Sequence, residues 1–191
     1  MNQRRGRLTH LVGFDDAPFE RSHRGDVLLV GAVYAGTRLT GVLSGKVRRD
    51  GVNATGVIAR TVLDSRFWPQ LHAVLLQGIS VAGFNVVDIN LLAQMLERPV
   101  LVVSRRRPDM AAIRRALLQH VPGGSRKWKR IEKAGPVESA AGLWVQRAGL
   151  SLDQAVQVLR DSCSNGNVPE PLRAAHLIAG GIVRGESRGR V

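Results

Sequence analysis

Three apolar runs fill the first forty-eight residues, and the links between them are short. Leu8 to Asp15 is the first. Asp26 to Tyr34 is the second, nearly continuous in Val27, Leu28, Leu29, Val30, Ala32 and Val33, a pattern that suits a strand covered on both faces. Arg38 to Arg48 is the third, with Leu39, Gly41, Leu43 and Gly45 alternating with Thr40, Val42, Ser44 and Lys46; only a turn at Gly36 separates it from the second. Strands this close in sequence are expected to pair as an antiparallel meander, because a parallel return needs a longer crossover.

Beyond that point strand and helix alternate. Asp50-Gly51-Val52-Asn53 forms a turn with capping residues, and Ala54 to Leu63 follows as a helix carrying Val57, Ile58, Thr61 and Val62 inward. Leu71 to Leu76 is a buried strand, Gln77 to Asn85 a loop, Val87 to Leu96 a helix and Pro99 to Ser104 another buried strand. Pro108-Asp109 opens a helix, because proline fits a first turn and aspartate complements the positive helix end. Val121 to Gly135 reads as a polar, basic connection, and Gly142 to Arg147 as one more strand. Ser151 with Gln154 makes a capping box, Pro169-Glu170-Pro171 leads into a last helix, and the basic tail from Gly185 to Val191 is expected to fray. The sum is an α/β chain with a mixed sheet and helices packed on it, expected to form one domain over residues 1–191.

Composition narrows the function. No run approaches the ~20 apolar residues of a membrane span, and Met1 to His10 is too polar for a signal sequence, so a cytoplasmic location is expected. Cys163 is the only cysteine, which excludes an internal disulfide and a cysteine-clustered zinc site; among Ser162, Ser164 and Asn165 it reads as an inert thiol. The net charge of +13 is gathered at Arg4-Arg5-Arg7, Lys46-Val47-Arg48-Arg49, Arg105-Arg106-Arg107 and Arg126-Lys127-Trp128-Lys129-Arg130. Such clusters point to a phosphate backbone as partner, the alternative being a merely solvated arginine-rich surface.

The chemistry gathers at Gly13-Phe14-Asp15-Asp16, where the first strand ends in two acids. If the Leu71 to Leu76 strand runs parallel beside it, their carboxyl ends share one edge of the sheet, where open sheets place ligands. Asp15, Asp16, Gln77, Gly78 and the loop to Asp88 would meet there, with Asp50 and Asn53 close. Oxygen ligands so gathered suit Mg²⁺ or Mn²⁺. Adjacent strand residues point to opposite faces, so Asp15 and Asp16 cannot both hold one ion. Several residues carry two readings. Asp88 is a site acid or a helix cap; Phe84 and Asn85 contact a base or pack; His176 is a proton carrier or a core histidine; Arg173 holds a phosphate or pairs with Glu170. Trp128, flanked by lysines, is the candidate for stacking on an exposed base, and Arg105 and Arg106 for gripping the backbone.

Five segments resemble a mostly archaeal family labelled endonuclease dU, itself similar to endonuclease V. They are Gly13-Phe14-Asp15-Asp16-Ala17-Pro18-Phe19, Asp50-Gly51-Val52-Asn53-Ala54-Thr55, Gly78 through Ile89 (including Gly83-Phe84-Asn85-Val86-Val87-Asp88), Arg98-Pro99-Val100, and Pro169 through Ala179. The resemblance implies a ribonuclease-H-like fold, with a mixed five- or six-stranded sheet and helices on both faces. It also implies metal-dependent cleavage of DNA at deaminated bases such as uracil. Asp15 would be the principal metal ligand, with Asp50, Gln77 and Asp88 in support, and Asp15, Asp50, Asp88 and His176 the catalytic set. Three positions depart from the family's pattern: Gln77 stands where an acid is expected, Asn53 where a second aspartate is usual, and Thr40 where a glutamate is usual. These departures keep two rivals open: a catalytically degenerate nucleic-acid-binding protein of the same fold, and a protein that binds a small phosphorylated ligand at the Gly78 to Gly83 loop.

Overall fold

The structure is a computed structural model that describes residues 7–164, 166 and 168–188; Arg4 and Arg5 lie outside the described residues. The three opening runs form β1 (His10–Asp16), β2 (Asp26–Ala35) and β3 (Arg38–Arg48), each antiparallel to the next. The chain crosses through α1 (Ala54–Leu63) and returns as β4 (Ala73–Gln77), parallel to β1 with Phe14 level with Leu76. A small hairpin of β5 (Ser80–Val81) and β6 (Asn85–Val86) precedes α2 (Ile89–Leu96), and β7 (Val100–Ser104) lies parallel to β4. Then come α3 (Met110–His120), α4 (Gly124–Lys133), β8 (Glu138–Ala140), β9 (Leu143–Ala148), α5 (Leu152–Ser162) and α6 (Glu170–Arg184). The large sheet runs in the order β3-β2-β1-β4-β7-β9-β8.

Alternation along β1 sorts the core into two layers. Val12 and Phe14 face α1 and α2, packing with Ile58, Val62, Leu92 and Leu96. On the other face Leu11 meets Val158 and Leu159 of α5, and Val30 and Ala32 of β2 lie with Ala174, Ala175 and Ala179 of α6. These small residues let α6 come down onto β1: a Cβ on Gly13 would stand 2.5 Å from the carbonyl carbon of Pro171 and 2.7 Å from the nitrogen of Leu172. Only a residue without a side chain fits there.

Three details differ from the sequence expectation. Among the described residues the sheet has seven strands; the added one, β8, has three residues, too few to give a period, and is held by pairing with β9 and by the Arg147–Glu138 ion pair at 2.8 Å. The expected connection from Val121 to Gly135 contains α4. Its glycines and charges read as a loop, but Gly124, Lys127 and Ile131 recur at helical spacing and are buried, against α3 and β6. In the described part of the tail the chain turns back at Gly185, which has φ +78°, and Ser187 Oγ donates to the carbonyl of Leu177 at 2.6 Å; residues 189–191 lie outside the described residues.

Candidate active site

Because β1, β4 and β7 run parallel, their carboxyl ends reach one edge of the sheet, bringing together Asp15 and Asp16, Gln77 and Gly78, and Ser104 with the arginines after it. Asp15 points to the α6 face and is 7% exposed. Its Oδ2 lies 2.8 Å from Nδ1 of His176, and its Oδ1 accepts the Asp16 N–H at 3.0 Å. Burial raises the Asp15 carboxyl above the usual range, and the contact with His176 and the Asp16 N–H only partly offset it. One proton must lie on Nδ1 or on the carboxyl for this contact to be a hydrogen bond, which leaves Nε2 as the free ring position.

Gln77 follows Leu76, which pairs with Phe14, so it stands beside Asp15 one step further along the parallel ladder. Leu75 faces the α5 layer, and alternation directs Gln77 to the same face as Asp15. Its Oε1 is buried and receives no hydrogen bond. An orphaned oxygen beside a buried carboxylate is what an absent cation would leave. Asp15 and Gln77 Oε1 fit a sparse Mg²⁺ or Mn²⁺ site, since such ions keep several waters and bind through one or two carboxylates, and His176 stands beside it as the carboxylate's partner. Among the described residues no group of three or more acids, histidines or cysteines is placed to hold a metal.

Asp16 takes the opposite face. It accepts the Ala82 N–H, and its carboxyl is pushed up to about 6, first by burial and then by the charge of Asp15. This ties the end of β1 to the β5–β6 hairpin. The hairpin is held from below by Asp50, itself at φ 51°, whose Oδ1 accepts the Phe84 N–H at 2.8 Å and whose N–H donates to Ala82 O at 2.9 Å. Gly83, at φ +82°, has no room for a side chain: its Cβ would meet Asp50 Oδ1 at 2.5 Å. Lys127, 1% exposed, donates to the Asp50 carbonyl, and Arg49 stands 3.2 Å from its Oδ2. Asn85, fully buried, donates to Arg48 O and Asn53 Oδ1 at 2.8 and 2.7 Å and accepts from Ala54 N at 3.0 Å, which caps α1. The Asp50 to Thr55 and Gly78 to Asp88 segments are thus one interlocked brace.

The expected site residues therefore separate. Asp15 and His176 touch, with Gln77 beside them. Asp50 supports the hairpin, and Asp88 caps α2 through its bond from Leu91 N at 3.0 Å, so neither joins Asp15 in a metal-holding group. Asn85 has no edge left for a base, because its amide is spent inside the brace. Phe84 and Trp128 are partly buried against Val86, Leu117 and Ile131, and Arg114 lies 6.0 Å over the Trp128 ring. Trp128 is thus half-buried on α4, with part of its side chain packed in this cluster and part exposed. Arg173 pairs with Glu170 at 2.6 Å. Arg105 and Arg106 are exposed at the carboxyl edge, after β7. Thr40 lies toward the opposite end of the sheet, its hydroxyl on Val33 O at 3.2 Å, so it is not positioned to replace an acid beside Asp15. Sequence reading missed the Asp16–Ala82 tie and the buried Lys127. The second had a signal in the spacing of Gly124, Lys127 and Ile131; the first had none, since it joins residues far apart in the chain.

The family model for endonuclease dU matches residues 7–183. The chain belongs to the endonuclease dU family. A UPF0215 protein of Deinococcus radiodurans is 57% identical over 184 residues, covering 96% of this chain and 94% of its own. Within the endonuclease dU fold, a crystal structure of a protein of unknown function from Archaeoglobus fulgidus is 33% identical with a TM-score of 0.87, covering 93% of this chain and 99% of that one. A Ciona intestinalis endonuclease V, solved with a 24mer DNA containing an inosine followed by a ribo-adenosine, superposes with a TM-score of 0.54 at 14% identity. It covers 87% of this chain and 82% of that one, a likeness of fold. The sheet and helices of this endonuclease dU member are therefore of the endonuclease V, ribonuclease-H-like type.

Proposed function

We propose that this protein is a divalent-metal-dependent endonuclease that cuts DNA near deaminated bases such as deoxyuridine. The observation that carries it is the pair Asp15 and His176, 2.8 Å apart at the carboxyl end of a central strand, with the unsatisfied Gln77 Oε1 on the same face. Asp15 and Gln77 Oε1 would hold Mg²⁺ or Mn²⁺, which when bound neutralises charge at phosphorus and makes hydroxide available at neutral pH. Asp15 orients the imidazole through Nδ1, leaving Nε2 to hold or pass a proton at the leaving oxygen. Asp16 fixes the end of β1 to the hairpin, so that the Asp15 carboxylate keeps its place as substrate enters. Arg105 and Arg106 supply phosphate contacts on the same edge.

The degenerate reading keeps one observation in its favour, the neutral amide at Gln77 in a site where, among the described residues, no group of three or more acids, histidines or cysteines gathers. The two are separated by incubating the protein with uracil- or hypoxanthine-containing oligonucleotides and Mg²⁺ or Mn²⁺. Nicking that disappears in Asp15→Ala and His176→Ala, and that strengthens or shifts metal preference in Gln77→Asp, supports the nuclease. Salt-sensitive binding without nicking, unaffected by chelator or by Asp15→Ala, supports the degenerate protein.

A further inference from the structure

β3 is the first strand of the sheet, so one side of its eleven residues pairs with β2 and the other with no described strand. Which groups face outward can be read from its end. The Arg49 N–H donates toward β2, to Gly25 O, whereas Arg48 turns away: its N–H donates to Asn53 Oδ1 at 3.1 Å and its carbonyl accepts from Asn85 Nδ2 at 2.8 Å. The period of two then directs the N–H and C=O groups of Val42, Ser44 and Lys46 outward, and all three residues are exposed. Proteins usually blunt such an edge with proline, shortness, a bulge or charged side chains, and β3 carries the last in Arg38, Lys46 and Arg48, which deter a like-charged strand but not an acidic one. Here the register irregularity falls at Val33/Tyr34, near the β2–β3 turn, and residues 41–48 stay regular.

A groove of about 580 Å³ runs beside this edge, between β3 and α1. Leu43 and Val57 give it an apolar floor, while Lys46 and Arg60 line it with positive charge against the single acid Asp64. Val42 adds an apolar side chain, 47% exposed. A second copy of this chain would set β3 against another β3 carrying Arg38, Lys46 and Arg48, and like charges across a seam oppose pairing.

We propose that the β3 edge docks an extended, acidic segment of a partner protein, which adds as an eighth strand. Main-chain bonds to Val42, Ser44 and Lys46 would supply affinity; alternate side chains would enter the groove, and its acids would meet Lys46 and Arg60. This docking is independent of the site at Asp15.

The test uses the full chain and a fluorescent peptide alternating valine with glutamate. Saturable binding is expected, with slowed hydrogen exchange at the amides of Val42, Ser44 and Lys46, and a loss of about tenfold or more when lysine replaces glutamate. Ser44→Pro removes an outward donor that β2 does not use and should abolish binding. Lys46→Glu, which leaves the backbone intact, should weaken the acidic peptide and favour the lysine one. Equal binding of both peptides, or protection elsewhere, would overturn the proposal. So would a concentration-dependent dimer that protects the same three amides without peptide, since it would assign the edge to a second copy.

Discussion

Gly13→Ala is expected to loosen α6 from β1 and, with it, the contact between His176 and Asp15. The new Cβ would lie 2.5 Å from the carbonyl carbon of Pro171 and 2.7 Å from Leu172 N, where ordinary contact begins at 3.4 Å. Both neighbours are backbone, so no rotamer change relieves the clash, and α6 must retreat by about 0.9 Å. Overpacking of this kind costs roughly 1 to 3 kcal/mol. In a chain of this size that lowers Tm by roughly 2 to 4 °C for each kcal/mol. A retreat of that size at His176 would also stretch its 2.8 Å bond to Asp15 beyond good hydrogen-bond length. The assay is a thermal melt followed by circular dichroism, combined with nitrogen-15 spectra of the histidine rings. The comparison variant is Gly56→Ala, in α1, where a Cβ meets nothing within 4 Å and should stabilise by roughly 0.5 to 1 kcal/mol. If Gly13→Ala melts with the parent and leaves the His176 ring signal unmoved, α6 does not seat on Gly13 and the close-approach account fails.

Asp16 gives a pH signature. Its folded carboxyl, at about 6, lies above the unfolded value of 3.8, so the unfolded chain loses its proton first. Stability from this group is therefore greatest at low pH, declines as pH rises from about 4 through 6, and levels off above, by up to roughly 3 kcal/mol. Asp16→Asn, whose amide oxygen can still accept the Ala82 N–H, should flatten this part of the slope in urea unfolding at a series of pH values; Asp15, shifted in the same direction, leaves a residual slope. An unchanged profile would place the Asp16 carboxyl in solvent. Asn85→Ala strands the fully buried Ala54 N–H and the part-buried Arg48 carbonyl and should cost roughly 2 to 4 kcal/mol by denaturant unfolding. A loss below about 1 kcal/mol would mean that the brace tolerates the vacancy.

Much of the architecture was legible because it rests on local regularities. The bounds of β3 and α1 agree with their patterns, since strand alternation and an inward helical stripe are properties of neighbouring residues. The capping box of Ser151 and Gln154 and the Asp109 cap are likewise contacts over three residues. Where the local signal was misleading, as in α4, or too short, as in β8, burial against distant elements supplied the stabilisation that the segment's own composition did not announce.

The site divides along the same line. That Asp15 and Asp16 serve opposite faces follows from strand geometry alone, and the sequence was enough to place Asp15 toward one layer and Asp16 toward the other. Which acids keep it company could not be settled there. Asp50 and Asp88 have the composition of ligands, yet folding commits one oxygen of each to the Phe84 and Leu91 amides and gathers neither with Asp15 into a metal-holding group. His176 comes within 2.8 Å of Asp15 across 161 residues only because Gly13, Ala174 and Ala175 let a helix lie close on the central strand. A side chain's partner is set by packing over long separations, and chemical type alone does not encode that distance.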